Sequence, residues 1–71
     1  MKDFASFGSY VGLAAKRAST VFKGDQILVW LSSRNIVLGR VSPLEIIWRE
    51  GEEGLKKVEN IIIRIETGSH S

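Results

Sequence analysis

Residues 22–42, FKGDQILVWLSSRNIVLGRVS, contain the pattern on which the fold prediction depends. Two runs rich in β-branched and other apolar residues, 26–31 and 36–41, flank a polar connection, SSRN, at 32–35. Four polar residues between two such runs are a length that β-hairpins use. The stretch therefore predicts a β-hairpin with its turn at 32–35.

Three further short strands are predicted after this hairpin. Pro43 separates them from it, because proline lacks the backbone N–H that a central strand needs. The strands are predicted at 44–50, 55–59 and 61–66, with a glycine-flanked turn at 51–54 and a bend at Asn60. Short strands separated by turn signals are typical of a sandwich or a barrel, and only a small barrel fits this length.

A helix is predicted before the hairpin, at residues 3–20, because apolar side chains recur there at spacings of three and four. Gly8 and Gly12 each cost about 1 kcal/mol relative to alanine in a helix interior, so the helix start is left open as far as Gly12. The two glycines also form a GxxxG pattern. We interpret this pattern as a place of close approach to a sheet or to a neighbouring subunit.

The predicted fold is therefore a single, mainly β domain over residues 1–66. It consists of an N-terminal α-helix followed by a five-stranded, strongly bent small barrel. Residues 67–71, TGSHS, are interpreted as a tail left by cloning, and they include the chain's single histidine, His70.

One barrel interior cannot cover all the apolar residues on both faces of these strands, so a homo-oligomer is predicted. The side chains expected at its subunit interface are Leu28, Trp30, Ile36, Leu38 and Ile62. A partner of another kind, a different protein, would cover the same residues equally well.

Composition excludes several classes of function. The 71 residues include no cysteine, which rules out disulfides and thiolate metal sites and favours a reducing, cytoplasmic setting. The glutamates lack an orienting histidine, the serines lack a nucleophile elbow and the glycines lack a phosphate-loop spacing. We therefore predict no enzyme activity, no metal and no cofactor. No apolar run reaches the length of a membrane span, and no membrane association is predicted.

The charge is mildly basic overall and unevenly distributed. The net charge is +2, with +4 over residues 1–40 and −2 over residues 41–71. Such a chain can associate head to tail or present a basic surface to a polyanion. Single strands are bound by aromatic side chains that stack on bases beside cations, and the candidates here are the aromatics Trp30, Trp48 and Tyr10 with the cations Arg34, Arg40 and Lys57. Tryptophans in a small domain are, however, more often core or subunit-contact residues.

Residues 27–41, ILVWLSSRNIVLGRV, resemble the first hairpin of the Sm-like family, which includes the bacterial Hfq proteins, with Gly39 as its strand-two glycine. Residues 57–62, KVENII, are similar in placement to the family's second motif. The resemblance implies a small barrel, a closed ring of subunits and single-stranded RNA bound around the pore. Lys57 and Asn60 are the binding residues that it carries over. The chain departs from the family at the two-residue loop 42–43, which lacks the usual Asp and Asn, and at Val58, where the family has glycine.

A second resemblance is to SH3-like barrels, in which Gly-Asp precedes the first strand as Gly24-Asp25 does here. It implies a structural or protein-interaction module, for example a subunit of an assembly or a phage particle. The favoured function is thus non-enzymatic binding of single-stranded RNA by an oligomer, through Lys57, Asn60, Arg34 and Arg40. The alternative is an SH3-like protein-interaction module with no nucleic-acid binding.

Overall fold

The computed structural model describes residues 4–68, which form helices and no β-strand. The elements are α1 (Phe4–Ala18), α2 (Asp25–Ser32), a 3-10 turn (Ile36–Leu38), α3 (Pro43–Glu50) and α4 (Glu52–Gly68). The mainly β fold and the five-stranded barrel are therefore wrong, and with them both family resemblances. Within the described range, one isolated antiparallel β-bridge joins Asn35 and Val41.

The predicted first strand, 26–31, lies within α2 instead. A short apolar run does not reveal by its periodicity whether it is a strand or a buried helix. In α2 the side chain of Leu31 is buried, Ile27 and Trp30 are half-buried, and Leu28 and Val29 face outward. The apolar residues on both sides of this segment therefore reflect an exposed apolar helix face and not a two-sided strand.

The predicted third strand, 44–50, is helix α3, and its start has a recognisable cap. The Ser42 hydroxyl oxygen accepts a hydrogen bond from the Glu45 backbone N–H at 3.1 Å. Pro43 occupies the first turn, where its missing N–H costs nothing. Serine followed three residues later by glutamate is a capping-box sequence, so the polar break at 42–43 starts a helix.

The predicted fourth and fifth strands, together with the bend at Asn60, form one continuous helix, α4. Glu52 and Glu53 in its first turn are favourable beside the positive end of the helix dipole. Leu55, Val58 and Ile62 follow at spacings of three and four and are all buried. This is the spacing of one helix face, and the β prediction overlooked it. Thr67 and Gly68, assigned from the sequence to a cloning tail, continue this helix, whereas His70 lies outside the described residues.

α3 and α4 meet at a sharp corner that depends on two glycines. Gly51, with φ 63°, ends α3 in a backbone conformation that other residues rarely adopt. One turn later, a Cβ on Gly54 would overlap the Ile46 carbonyl oxygen and lie 2.9 Å from the Ile47 Cα. The two helix backbones therefore touch where Gly54 has no side chain.

The core lies between this corner and α1, which packs against all three other helices. Its fully or nearly buried apolar residues are Ala14, Ala18, Leu31, Ile46, Ile47, Leu55, Val58, Ile61 and Ile62. The helix predicted near the N-terminus is present as α1. A Cβ on Gly8 or Gly12 would meet no atom within 4 Å, so no described element of this chain approaches the GxxxG pattern closely.

The contrast between Gly54 and Gly12 gives a first prediction. Gly54→Ala should lower the free energy of unfolding by about 1–3 kcal/mol or more, because the new methyl group overlaps the α3 backbone at Ile46 and Ile47, which cannot move aside. Gly12→Ala, the matched control, should raise it by up to about 1 kcal/mol through helix propensity. Urea unfolding followed by circular dichroism measures both. Equal effects of the two substitutions would contradict the close crossing of α3 and α4.

Candidate functional site

The loop between α2 and α3 presents two large apolar side chains to solvent. Ile36 is 85% exposed and Val37 is 65% exposed, and both belong to the 3-10 turn. Isolated apolar residues are common on protein surfaces, but two consecutive ones at the tip of a loop are not explained by packing within this chain. We call residues 35–41 the apolar loop.

Hydrogen bonds from one residue, Asn35, close the apolar loop at its base. The Asn35 side-chain oxygen accepts from the Val37 N–H at 2.9 Å, and its carbonyl oxygen accepts from the N–H groups of Leu38 and Arg40. Its own N–H donates to the Val41 carbonyl oxygen at 3.0 Å. These four hydrogen bonds fix the loop conformation. Ile36 and Val37 are therefore held in defined positions on the surface.

Two successive residues with positive φ turn the chain inside this loop. Gly39 has φ 81° and Arg40 has φ 68°. For arginine the left-handed conformation costs roughly 1–2 kcal/mol. The glycine predicted to mark a bulge in a strand is instead the residue that ends the 3-10 turn. Backbone strain of this kind persists where the surrounding bonds hold it, and it occurs often at functional sites.

A groove of about 500 Å³ lies between the apolar loop, α3 and α4, and we call it the loop–helix groove. Its apolar lining comes from all three elements and consists of Val37, Leu38, Val41, Ile46 and Ile61. Its polar lining comes from α3 and α4 and consists of Arg49, Glu50, Lys57, Asn60 and Arg64. A second depression, bounded by Val37, Ile61, Arg64, Ile65 and Gly68, continues it towards the end of α4. Together they form one channel along α4 that has an apolar floor and a polar rim.

Positive charge predominates at the rim of this groove. The Lys57 ammonium group lies 2.6 Å from a Glu50 carboxylate oxygen, so these two charges offset each other. Arg49 lies 3.9 Å from the Glu45 carboxylate. No ion pair is found for Arg64 with any residue in the described range. The rim therefore offers a guanidinium group beside exposed apolar surface.

The structure brings together two of the four residues predicted to bind nucleic acid. Lys57 and Asn60 both line the loop–helix groove. Arg40 lies in the apolar loop and Arg34 immediately before it, and both are exposed, but neither lines the groove. The prediction placed Lys57 and Asn60 in a loop between two strands, whereas they lie about one turn apart on α4.

The five residues predicted at an oligomer interface are dispersed in the structure. Leu28 is 66% exposed on α2, and Ile36 is exposed at the tip of the apolar loop. Leu38, half-buried, lines the groove, and Trp30 is half-buried against the core. Ile62 is completely buried within this chain, so it has no surface to offer a second copy.

Both tryptophans have aromatic partners within the chain. Trp48 contacts Phe4 and Phe7, with ring centroids 5.2 and 5.0 Å away. Trp30 stacks on Phe22 at 5.4 Å. Intramolecular ring contacts of this kind contribute about 0.5–1.5 kcal/mol each beyond buried area. The faces that could stack on bases are therefore at least partly used for packing.

Other kinds of site are not found in residues 4–68. No group of three or more histidine, aspartate or glutamate side chains there is arranged to hold a metal ion. None of the helices in this range is both long and apolar enough to cross a bilayer.

Comparison of the chain with protein-family models, with curated proteins and with solved structures gives no match.

Most of the groove was not predicted from the sequence. The unpredicted side chains are Val37, Val41, Ile46 and Ile61 of its floor and Arg49, Glu50 and Arg64 of its rim. One available signal was the seven-residue spacing of Lys57 and Arg64, which places both on one side of a helix once 52–68 is recognised as helical. The approach of the loop to α4 has no signal in the local sequence.

The strained Arg40 gives a second prediction. Arg40→Gly should raise the free energy of unfolding by about 1 kcal/mol, because glycine adopts a positive φ without steric cost. Arg34→Gly, the matched control, removes the same kind of side chain from a residue that has no positive φ, and it should not stabilise the protein. Thermal unfolding compares the two variants. Stabilisation by Arg34→Gly alone would contradict the loop conformation.

Proposed function

We propose that this chain is a non-enzymatic protein-interaction module that binds a partner protein in the loop–helix groove. The observation that carries the proposal is the exposed pair Ile36 and Val37, held on a hydrogen-bonded loop beside an apolar channel. This proposal keeps the protein-interaction function considered from the sequence, without the SH3-like barrel.

The exposed apolar surface of the loop can stabilise a complex when a partner covers it. Fully burying an isoleucine or valine side chain stabilises a complex by about 1.5–3 kcal/mol relative to leaving it exposed. Ile36 and Val37 are far from fully buried within the chain, so most of this stabilisation is available to a partner. The adjacent floor residues Leu38, Val41 and Ile61 would extend the contact.

The rigidity of the apolar loop supports the same proposal. Binding costs conformational entropy when side chains and loops become ordered, roughly 0.5–1.5 kcal/mol per immobilised side chain. The four hydrogen bonds of Asn35 already order this loop in the free protein. A partner therefore meets a preformed surface and loses less free energy on binding.

The polar groups of the groove support binding in preference to catalysis. Among described residues, its lining contains no serine or threonine, and its single carboxylate, Glu50, is paired with Lys57. A nucleophile next to an orienting base, the usual basis of covalent catalysis, is therefore not assembled there.

Single-stranded RNA binding has less support than protein binding. RNA is bound through phosphate contacts and through bases stacked on aromatic faces. Arg49, Lys57 and Arg64 supply cations at the groove, but the groove floor is aliphatic and both tryptophans contact phenylalanines. We therefore treat an RNA ligand as the competing outcome of the test below.

Site-specific photo-crosslinking in the cells that naturally make the protein tests this function. A benzophenone amino acid at position 37 should give a discrete adduct that protease destroys and nuclease does not. The same probe at position 52, an exposed site on the opposite side of α4, should not give this adduct.

Two serine substitutions show whether the adduct depends on the proposed surface. Ile36→Ser should reduce its yield about tenfold or more, since it removes apolar area worth more than about 1.4 kcal/mol. Leu13→Ser, at a 51% exposed position on α1, should leave the yield unchanged. A nuclease-sensitive adduct, or one equally formed from position 52, would overturn the proposal.

A further inference from the structure

We propose that the partner segment bound in the loop–helix groove is an acidic amphipathic helix. Such a segment carries apolar residues at positions i, i+3 or i+4 and i+7, with aspartate or glutamate beside them. This inference rests on the proposed function and specifies the chemistry of the partner.

The dimensions of the channel fit a short helix. Along α4 it runs from Lys57 to Gly68, eleven residues apart, which is about 16 Å at 1.5 Å per residue. A partner helix of about three turns covers that length. Helix-in-groove recognition uses an apolar floor of this kind, with anchors from successive turns of the bound helix.

The charges along the channel select an acidic partner. Three cations, Arg49, Lys57 and Arg64, line it with one carboxylate, Glu50, which already pairs with Lys57. Arg64 borders both depressions and lies beside Val37 and Ile61. A carboxylate next to the apolar face of a bound helix can make a charge-assisted, two-pronged hydrogen bond with its guanidinium group.

Three of the four acidic residues of α4 lie on its other side. The fourth, Glu53, lies on the groove side one turn before Lys57, and its carboxylate is 3.8 Å from the Lys56 ammonium group. Glu52, Glu59 and Glu66 recur at intervals of seven and so share one side of α4. Glu59 follows Lys57 by two residues, a rotation of about 200° around the helix. The groove side is therefore positive while the glutamate side is negative.

This polarity argues against a second copy of the chain as the occupant. A two-fold dimer formed through the groove would apply the same positively charged surface of each copy to that of the other. Like charges placed opposite each other oppose association. Docking of the glutamate side into a neighbour's groove is also disfavoured, because Glu59 and Glu66 are half-buried within their own chain.

Two synthetic peptides test the inference directly. Both are fluorescein-labelled, blocked at their ends and about 14 residues long, with identical leucines at i, i+4, i+7 and i+11. One carries glutamate at the flanking positions and the other carries lysine. Fluorescence anisotropy with the full chain should give a Kd at least about tenfold lower for the glutamate peptide, and circular dichroism should show that peptide becoming helical on binding.

Charge reversal at the rim provides the matched variants. Arg64→Glu should weaken binding of the glutamate peptide at least about tenfold and strengthen that of the lysine peptide. Lys16→Glu makes the same change in net charge at an exposed position on α1, outside the groove, and should change neither Kd more than about twofold.

Several results would overturn the inference. One such result is an equal Kd for the two peptides. Another is that an oligouridine displaces the glutamate peptide and binds the Arg64→Glu variant less tightly than the unmodified protein. A dimer in sedimentation equilibrium that the glutamate peptide fails to dissociate would assign the groove to a second copy. If the position-37 adduct forms but the glutamate peptide is not preferred, this inference fails while the proposed function stands. If the adduct also fails to form, both are wrong.

Discussion

The contact between Gly54 and the backbone of Ile46 and Ile47 is the constraint on which the rest of the structure depends. Because position 54 lacks a Cβ, α4 can cross α3 at backbone distance, immediately after the turn at Gly51. This crossing buries Ile47, Val58 and Ile62 and gives α1 a surface to pack on. The loop–helix groove lies between these two helices and the apolar loop.

The proposed function follows from what this small core leaves uncovered. The chain buries leucines, isoleucines and alanines in its core, yet Ile36 and Val37 remain exposed on a loop that is itself ordered by hydrogen bonds. The loop includes a strained arginine, Arg40, and backbone strain of this kind clusters at functional sites. In the proposed complex, the aliphatic floor would contribute affinity, and the cationic rim would select a partner with acidic residues.

The sequence predicted α1 correctly and the rest of the fold incorrectly, for identifiable reasons. The α1 stripe is unambiguous, whereas the run QILVWL at 26–31 suits a strand and a partly exposed helix equally well. The capping residues Ser42 and Glu45 were a helix signal that was interpreted as a sheet break. Gly54 was assigned to a hairpin turn, although the spacing of the apolar residues after it is helical. Of the groove residues, Lys57 and Asn60 were predicted as binding residues and Leu38 as an interface residue. The other lining residues depend on tertiary contacts that no local pattern encodes.

The most direct test of the account is a nuclear Overhauser spectrum of the intact chain. The account predicts strong cross-peaks between the Gly54 α-protons and the Ile47 α-proton, together with contacts between the methyl groups of Val37 and Ile61. These two sets of contacts define the helix crossing and the groove. Absence of the Gly54 cross-peaks, with cross-strand contacts between 26–31 and 36–41 in their place, would contradict the helical fold and the site built on it.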